Sequence, residues 1–310
     1  MNPAAADHTV EVQCQTCGAQ LVIPVVRRTA RCPYCASSTI VEHAAGADRP
    51  TPDFAIAFSL TRDAAKACVR RWAKTQSIFA HGGLRTASLD EMTGLYVPAL
   101  LYSALARTDY AALIGERYTE IETYWTTDAN GRAVQRTRVV TKTDWFPLSG
   151  QHATYVTDVL ATAARGIPND ELEMIEPFDL RLLRRYESAV VSGWEAEDPT
   201  LHRDECMALA RQEATNSIAR LLPAFMPGDE HQNLQFSTRF ERESGALTLL
   251  PVWVTAMRYD PRKPPVRVLV NGQTGATTGQ APVSWKRVAI AFSVAAAILM
   301  LIVILVARSQ

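Results

Sequence analysis

Runs of alternating and continuous hydrophobic residues predict a sheet from Gly94 onward. The segments GLYVPALLYSALA and TDYAALIGERYTEIETYW are followed by Asn130 and Gly131, and then by AVQRTRVVTKTDWF. An Asn-Gly pair between two such runs is typical of a tight hairpin turn. Strands joined by short turns pair in antiparallel fashion. We therefore predict a largely antiparallel sheet in this part of the chain.

Two amphipathic helices are predicted outside these strands. The first follows the short strand FAIAFSL, has Thr61 as its N-cap residue and ends before the Gly82-Gly83 pair. Its apolar face comprises Ala65, Cys68, Val69 and Trp72. The second has Asp198 as its N-cap and Pro199 at its first helical position, and it stops at Pro223. Its apolar face comprises Met207, Ala210, Ala214, Ile218 and Leu221, with Cys206 beside it.

The last soluble stretch repeats the pattern of residues 94–116. In each, one proline, Pro98 or Pro251, interrupts an apolar run, and a short strand and an amphipathic helix lie further upstream. This pattern is consistent with an internal duplication, with repeats at 54–150 and 186–275.

The stretch 169–187 mixes acidic and basic residues and predicts a solvated helix or loop, and YESAVVSGW predicts a short strand.

The C-terminal segment VAIAFSVAAAILMLIVILVA predicts a transmembrane helix. Val288 to Ala307 are 20 residues without a charge, which matches the length needed to cross a hydrocarbon core of about 30 Å. A buried core helix is the alternative, but it would show more polar residues than Ser293. Trp285, Lys286 and Arg287 are predicted to lie at the membrane interface, and the basic excess before the span predicts a cytoplasmic N-terminal head. The chain would then be a tail-anchored, single-pass protein of the inner, cytoplasmic membrane.

Two Cys-x-x-Cys pairs near the N-terminus predict one zinc ion. Cys14 and Cys17 are separated by 14 residues from Cys32 and Cys35, a spacing typical of two thiolate knuckles that close on one tetrahedral Zn²⁺. Four thiolates leave no open position, so the metal would be structural. The alternatives are two disulfides or two unrelated redox motifs, which the absence of a signal-like segment in the first 13 residues disfavours.

These elements predict an α+β protein of several parts. We expect a zinc ribbon at 1–42, a linker at 43–53, an α+β cytoplasmic domain at 54–275, a juxtamembrane linker at 276–287 and a transmembrane helix at 288–307. The fold class is α+β, with an N-terminal zinc ribbon, a mostly antiparallel sheet and a C-terminal membrane helix.

Charge disfavours nucleic acid as the main partner. The chain has 32 basic and 32 acidic side chains and a formal net charge of zero, which gives no broad positive field for phosphates. Arg27, Arg28 and Arg31 form one local basic cluster between the outer cysteines. Together with Tyr34 they are the candidate contacts for a protein partner or for nucleic acid.

The motifs resemble those of bacterial zinc-ribbon membrane proteins. The resemblance is carried by the Cys-x-x-Cys pairs, YVPALLY at 96–102, LLPVWV at 249–254, VNGQTGATTGQAPVSWKR at 270–287 and the C-terminal apolar segment. Such proteins are often labelled as similar to primosomal protein N′ or to a superfamily II helicase, and they are largely uncharacterised. Some of these proteins are encoded near flotillin-type and phage-shock-type membrane-stress proteins, so the resemblance implies a role in such a system.

No enzyme motif is present in the sequence. A helicase motor needs a phosphate-binding loop that ends in Gly-Lys-Ser or Gly-Lys-Thr, and the chain contains no Gly-Lys pair. The six histidines lack metal-ligand spacing, and the glycines of 272–275 lie in a predicted hairpin. We therefore expect a non-enzymatic, membrane-anchored adaptor that recruits protein partners. The alternatives are a membrane-tethered nucleic-acid-binding protein and an enzyme whose site assembles only in the folded chain.

Overall fold

The computed structural model of the chain describes residues 9–14, 19–24, 32, 34, 40–43, 50–127, 131–191 and 194–308. Its strands are β1 Thr9–Cys14, β2 Gln20–Pro24, β3 Ile40–His43, β4 Phe54–Ala55, β5 Ser88–Leu89, β6 Thr93–Thr127, β7 Ala133–Thr162, β8 Arg184–Arg185, β9 Glu195–Glu197, β10 Glu230–Arg258, β11 Val266–Asn271 and β12 Thr277–Gly279. Its α-helices are α1 Arg62–Thr75, α2 Asn169–Glu173, α3 Ser188–Val191, α4 Arg203–Leu221 and α5 Trp285–Arg308.

The described strands form one mixed sheet. Its order is β12-β11-β10-β6-β9-β2-β1-β3, with β4 and β5 also paired with β10, β7 with β6, and β8 with β4. The pairs β10–β4 and β6–β9 are parallel. The protein is therefore a sheet-rich α+β fold in which parallel pairs interrupt the antiparallel pattern.

The chain divides into two compact units. Unit 1 comprises residues 1–101, 160–207 and 246–310, and unit 2 comprises 102–159 and 208–245. In unit 1, helix α1 buries Ala65, Val69 and Ala73 in a cluster that also contains Trp253 and Val268 of β10 and β11. The N-cap Thr61 accepts a hydrogen bond from the amide of Ala64 at 3.4 Å. The prediction of this helix is confirmed.

Helix α4 begins four residues later than its predicted first residue, Pro199. The amides of Asp198, Thr200 and Leu201 donate hydrogen bonds to carbonyls outside the helix, at 3.1, 2.9 and 3.1 Å. The helix therefore starts at Arg203, and Glu205 accepts from the amide of His202 at 2.9 Å. This bond satisfies one of the donors that a helix N-terminus leaves free.

The strand predicted for YESAVVSGW is wrong in its centre, where α3 forms over Ser188–Val191.

The two halves of the predicted duplication also differ in structure. Pro98 is the sixth residue of the 35-residue strand β6, whereas Pro251 is close to the end of the 29-residue strand β10. Most of β6 therefore follows its proline along the chain, whereas most of β10 precedes its proline.

The predicted transmembrane helix is corrected. Helix α5 covers the apolar segment Val288–Ala307, but no helix within the described residues is both long enough and apolar enough to cross a membrane. The prediction of a membrane span at 288–307 is therefore wrong. Side chains at positions 301, 303, 305 and 307 lie outside the description. The predictions of a tail-anchored topology and of an inner-membrane localisation depend on this span, so they are wrong as well.

The zinc ribbon in the predicted fold class is also corrected. In the part of the chain that the structure describes, no group of three or more His, Cys, Asp or Glu side chains could hold a metal ion. Strands β1, β2 and β3 instead continue the main sheet, because β2 pairs with β9 and β9 pairs with β6. The N-terminal strands are thus hydrogen-bonded to the body of unit 1.

Candidate functional site

A buried polar network surrounds Tyr34, the third residue of the second Cys-x-x-Cys motif. Tyr34 is fully buried, and its hydroxyl donates a short hydrogen bond to the carboxylate of Glu197 at the end of β9. The amide of Gly166 donates to the other oxygen of Glu197 at 2.9 Å. Two elements far apart in sequence thereby meet at one carboxylate.

Arg267 of β11 extends this network. Its guanidinium donates to the carbonyl of Gly166 at 2.7 Å and to Glu171 of α2 at 2.6 Å, and its Cζ lies 5.5 Å from the centroid of the Tyr34 ring. Burial, and then the negative charge of Glu197, raise the pKa of Tyr34 well above its ordinary value. The phenol therefore stays protonated and acts as a donor.

Gly166 is required by the close packing of this network. A Cβ at this position would lie 2.3 Å from Glu197 Oε1 and 2.7 Å from the Tyr34 ring. Those contacts are shorter than real Cβ contacts, so any larger residue would push the carboxylate away from its donors. Glycine allows the backbone amide to reach Glu197.

The network makes Tyr34 unavailable as a surface contact. A fully buried ring cannot stack on a base or reach a partner. The other three candidate contacts, Arg27, Arg28 and Arg31, lie outside the described residues. Glu197, Arg267, Glu171 and Gly166 carry no motif that sequence reasoning could have recognised, and Glu197 lies 163 residues from Tyr34.

Cys14 and Cys32 are both buried in the same hydrophobic cluster as Tyr34. Cys17 and Cys35, the other two predicted ligands, lie outside the described residues. Two thiols packed in one cluster are compatible with the donor set that a zinc ion needs. The cofactor itself stays a prediction, because half of its ligands are not described.

Metal analysis of the purified full chain tests that prediction. We expect about one zinc per chain in the wild type and none in Cys17→Ser/Cys35→Ser, because a four-thiolate site needs all its ligands. Cys68→Ser/Cys206→Ser is the matched control, since both residues lie in other clusters, and it should retain the metal. A metal-free wild type with four intact thiols would contradict the prediction.

The conspicuous VNGQTG segment is a hairpin turn between β11 and β12. Asn271 is fully buried, and its side-chain amide donates to the carbonyls of Ile175 and Pro177 at 2.8 and 3.1 Å. Its side-chain oxygen accepts from the amides of Gln273 and Thr274 at 2.8 and 3.0 Å. Those two amides are already bonded, so they do not form a phosphate cradle.

Unit 2 exposes an uncharged face on the paired strands β6 and β7. We name it the threonine face and define it by alternate residues, which share one side of a sheet. It comprises Thr119, Ile121, Thr123, Trp125 and Thr127 of β6 with Thr137, Val139 and Thr141 of β7. All eight are exposed, and Ile121, Trp125 and Val139 are 69%, 70% and 70% exposed.

The opposite side of the same strands carries charges that neutralise each other. Arg138 donates to Glu122 at 3.0 Å, and Lys142 donates to Glu120 at 2.6 Å and lies 3.2 Å from Glu122. Hydrogen bonds donated by Arg138 and then by Lys142 lower the pKa of Glu122, and the hydrogen bonds that Lys142 donates to Glu120 and then to Glu122 raise the pKa of Lys142. Arg138 also lies over the Tyr124 ring. The charges are thus segregated from the threonine face.

The residues predicted for a membrane interface begin α5. The guanidinium of Arg287 donates to the carbonyls of Ile78 and Ala80 at 3.1 and 3.0 Å, so it fastens the helix start to the loop after α1. Trp285 is 77% exposed. Arg287 is therefore a structural contact within unit 1.

Comparison with known proteins adds one distant relative. No family model matches the chain, and no solved structure gives a significant match. The chain is similar to the uncharacterized protein YdjG of Bacillus subtilis (strain 168), at 22% identity over 243 residues, which is 78% of this chain and 67% of YdjG. The resemblance to zinc-ribbon proteins with a primosomal or helicase label stays a prediction.

Proposed function

We propose that the chain is a non-enzymatic adaptor that binds a protein partner through the threonine face of unit 2. The partner presents an uncharged, apolar strand or sheet surface. The observation that carries this proposal is the exposure of Ile121, Trp125 and Val139 on a face without charges. Contiguous exposed apolar residues mark interaction sites on soluble proteins.

The chemistry of the threonine face selects an apolar partner. Burying it desolvates hydroxyls and hydrocarbon but no charge, which avoids the large penalty of an unpaired buried ion. Trp125 supplies a large ring of the kind that dominates interface energies. A charged partner surface would lose its hydration here and gain no counter-charge.

The size of the face predicts a weak complex. Eight residues along two strands cover on the order of 300 Å², whereas a stable interface needs about 800 Å² from each partner. We therefore expect a dissociation constant in the micromolar range or weaker unless several contacts act together. Weak contacts of this kind suit an adaptor that joins and leaves assemblies.

Nucleic acid is the less favoured partner. Bases could stack on Trp125, but phosphates need cations beside it, and the nearby Arg138 and Lys142 are paired with glutamates on the other side of the strands. Of the four contacts predicted from sequence, Tyr34 is buried. A catalytic role has no support from the motifs of the chain.

Site-specific photo-cross-linking tests the proposal. A photoreactive residue at position 125 should capture a defined protein partner, and one at Tyr155, an equally exposed position elsewhere on β7, should not. The affinity of the purified partner should then fall at least about tenfold in Trp125→Ser, because an interface aromatic typically contributes more than about 1.4 kcal/mol.

Tyr155→Ser provides the matched control, since it also removes an exposed aromatic ring from unit 2. Its affinity for the partner should match the wild type. Unchanged binding by Trp125→Ser would contradict the proposal. So would binding of DNA or RNA tighter than about 1 μM at physiological salt with a steep salt dependence, which would favour the nucleic-acid alternative.

A further inference from the structure

A cleft in unit 1 lies between helix α1 and residues 87–92. Its volume is about 400 Å³, which falls within the range of small-molecule sites, about 300 to 1,000 Å³. One wall carries Arg62, Lys66 and Arg70 of α1. These residues are spaced by four, so their side chains share one face of the helix.

Two of these cations are free to bind a ligand. Among the described residues, neither Arg62 nor Arg70 forms an ion pair, and the contact of Lys66 with Asp63 is long at 3.5 Å. Arg62 lies 5.9 Å from the centroid of the Trp253 ring. This ring contact restrains the guanidinium without neutralising it.

The opposite wall moderates the positive charge. Asp90 is paired with Arg258 through hydrogen bonds of 3.0 and 3.1 Å, so its charge is already compensated. Glu91 is exposed and is the other carboxylate in the lining. Leu89 and the buried Met92 add apolar surface.

We propose that this cleft binds a small organic anion that carries a phosphate or carboxylate group. The anion lies against Arg62 and Arg70, because a guanidinium fork binds either group through two parallel hydrogen bonds. Its organic part lies against Leu89 and Met92. Glu91 disfavours ligands of very high negative charge. The proposal is independent of the threonine face, which belongs to unit 2.

Equilibrium binding to the full chain tests the site with three probes: AMP, citrate and inorganic pyrophosphate. AMP or pyrophosphate binding without citrate binding would assign the phosphate chemistry, and the reverse would assign the carboxylate chemistry. At least one probe should bind with a dissociation constant below about 1 mM at low salt, which requires only a few charge-assisted hydrogen bonds.

Variants of α1 distinguish a specific anion site from nonspecific electrostatic attraction to the helix. Arg62→Gln/Arg70→Gln should weaken that probe at least about tenfold, whereas Arg71→Gln/Lys74→Gln, the same charge change on the same helix outside the cleft, should leave it within about twofold. Glu91→Gln should strengthen binding, a gain that a misfolded variant cannot show. No binding by any probe, or equal loss in both double variants, would overturn the proposal.

Discussion

Replacing Glu197 by alanine is expected to lower the free energy of unfolding by about 2 to 5 kcal/mol. The change leaves the hydroxyl of Tyr34 and the amide of Gly166 without their acceptor. Each donor is in the core of unit 1, and a buried polar group without a partner costs about 1 to 3 kcal/mol. Urea unfolding of the full chain measures the loss.

Two further variants show whether the hydrogen bonds cause the effect. Glu197→Gln keeps the shape and retains one acceptor oxygen, so it should lose clearly less stability than Glu197→Ala. Tyr34→Phe and Glu197→Gln should be non-additive when combined, because both alter the hydrogen bond between Tyr34 and Glu197. Glu187→Ala, which removes an exposed carboxylate, should change stability by less than about 0.5 kcal/mol. Equal effects of Glu197→Ala and Glu187→Ala would contradict the role of the network.

Local signals in the sequence account for the elements that were predicted well. Thr61 caps α1, Ala65 and Val69 give its buried face, and Gly131, with a φ of +77°, lies at the predicted hairpin between β6 and β7. Asn130 lies outside the described residues. These features depend on interactions within a few residues, so the chain order alone reveals them.

The failures have a common physical origin in contacts between distant residues. Asp198 and Pro199 have the chemistry of a helix start, but the amides of Thr200 and Leu201 both donate to the carbonyl of Ala163, and α4 begins only at Arg203. The strand β9 pairs with both β2 and β6, so the N-terminal strands continue the main sheet, whereas the sequence predicted a separate zinc ribbon. Tertiary hydrogen bonds overrode the local preference in both places.

The candidate sites show the same division. The cysteine spacing is a local pattern, but the partners of Tyr34 come from three other segments of unit 1. The threonine face is visible in the sequence only after the pairing of β6 with β7 is known, because alternate residues of both strands form it. Likewise, Arg62, Lys66 and Arg70 of α1 form a candidate site only because residues 87–92 lie on the other side of the cleft.

The structural role of Asn271 explains why the turn after β11 has such a specific sequence. Its side chain uses both donor hydrogens and its acceptor oxygen, which joins the hairpin to the segment 175–177. Gly272 is needed because a Cβ there would lie 2.7 Å from the carbonyl oxygen of Pro251, and Gly275 has a φ of +80°. The segment is therefore built for a tight connection within unit 1.

Asn271→Ala should consequently lower the free energy of unfolding by about 2 to 4 kcal/mol, since four hydrogen bonds of about 0.5 to 1.5 kcal/mol each are lost and water replaces part of them. Asn271→Asp keeps the acceptor for Gln273 and Thr274 but places a carboxylate oxygen against the carbonyls of Ile175 and Pro177, so it should also destabilise the chain at neutral pH. Lowering the pH should then restore stability in Asn271→Asp alone, because a protonated carboxyl can donate again. Thermal and urea unfolding measure both effects. A stable Asn271→Ala variant that has instead lost affinity for pyrophosphate would show that the turn is a phosphate-binding loop and not a structural clasp.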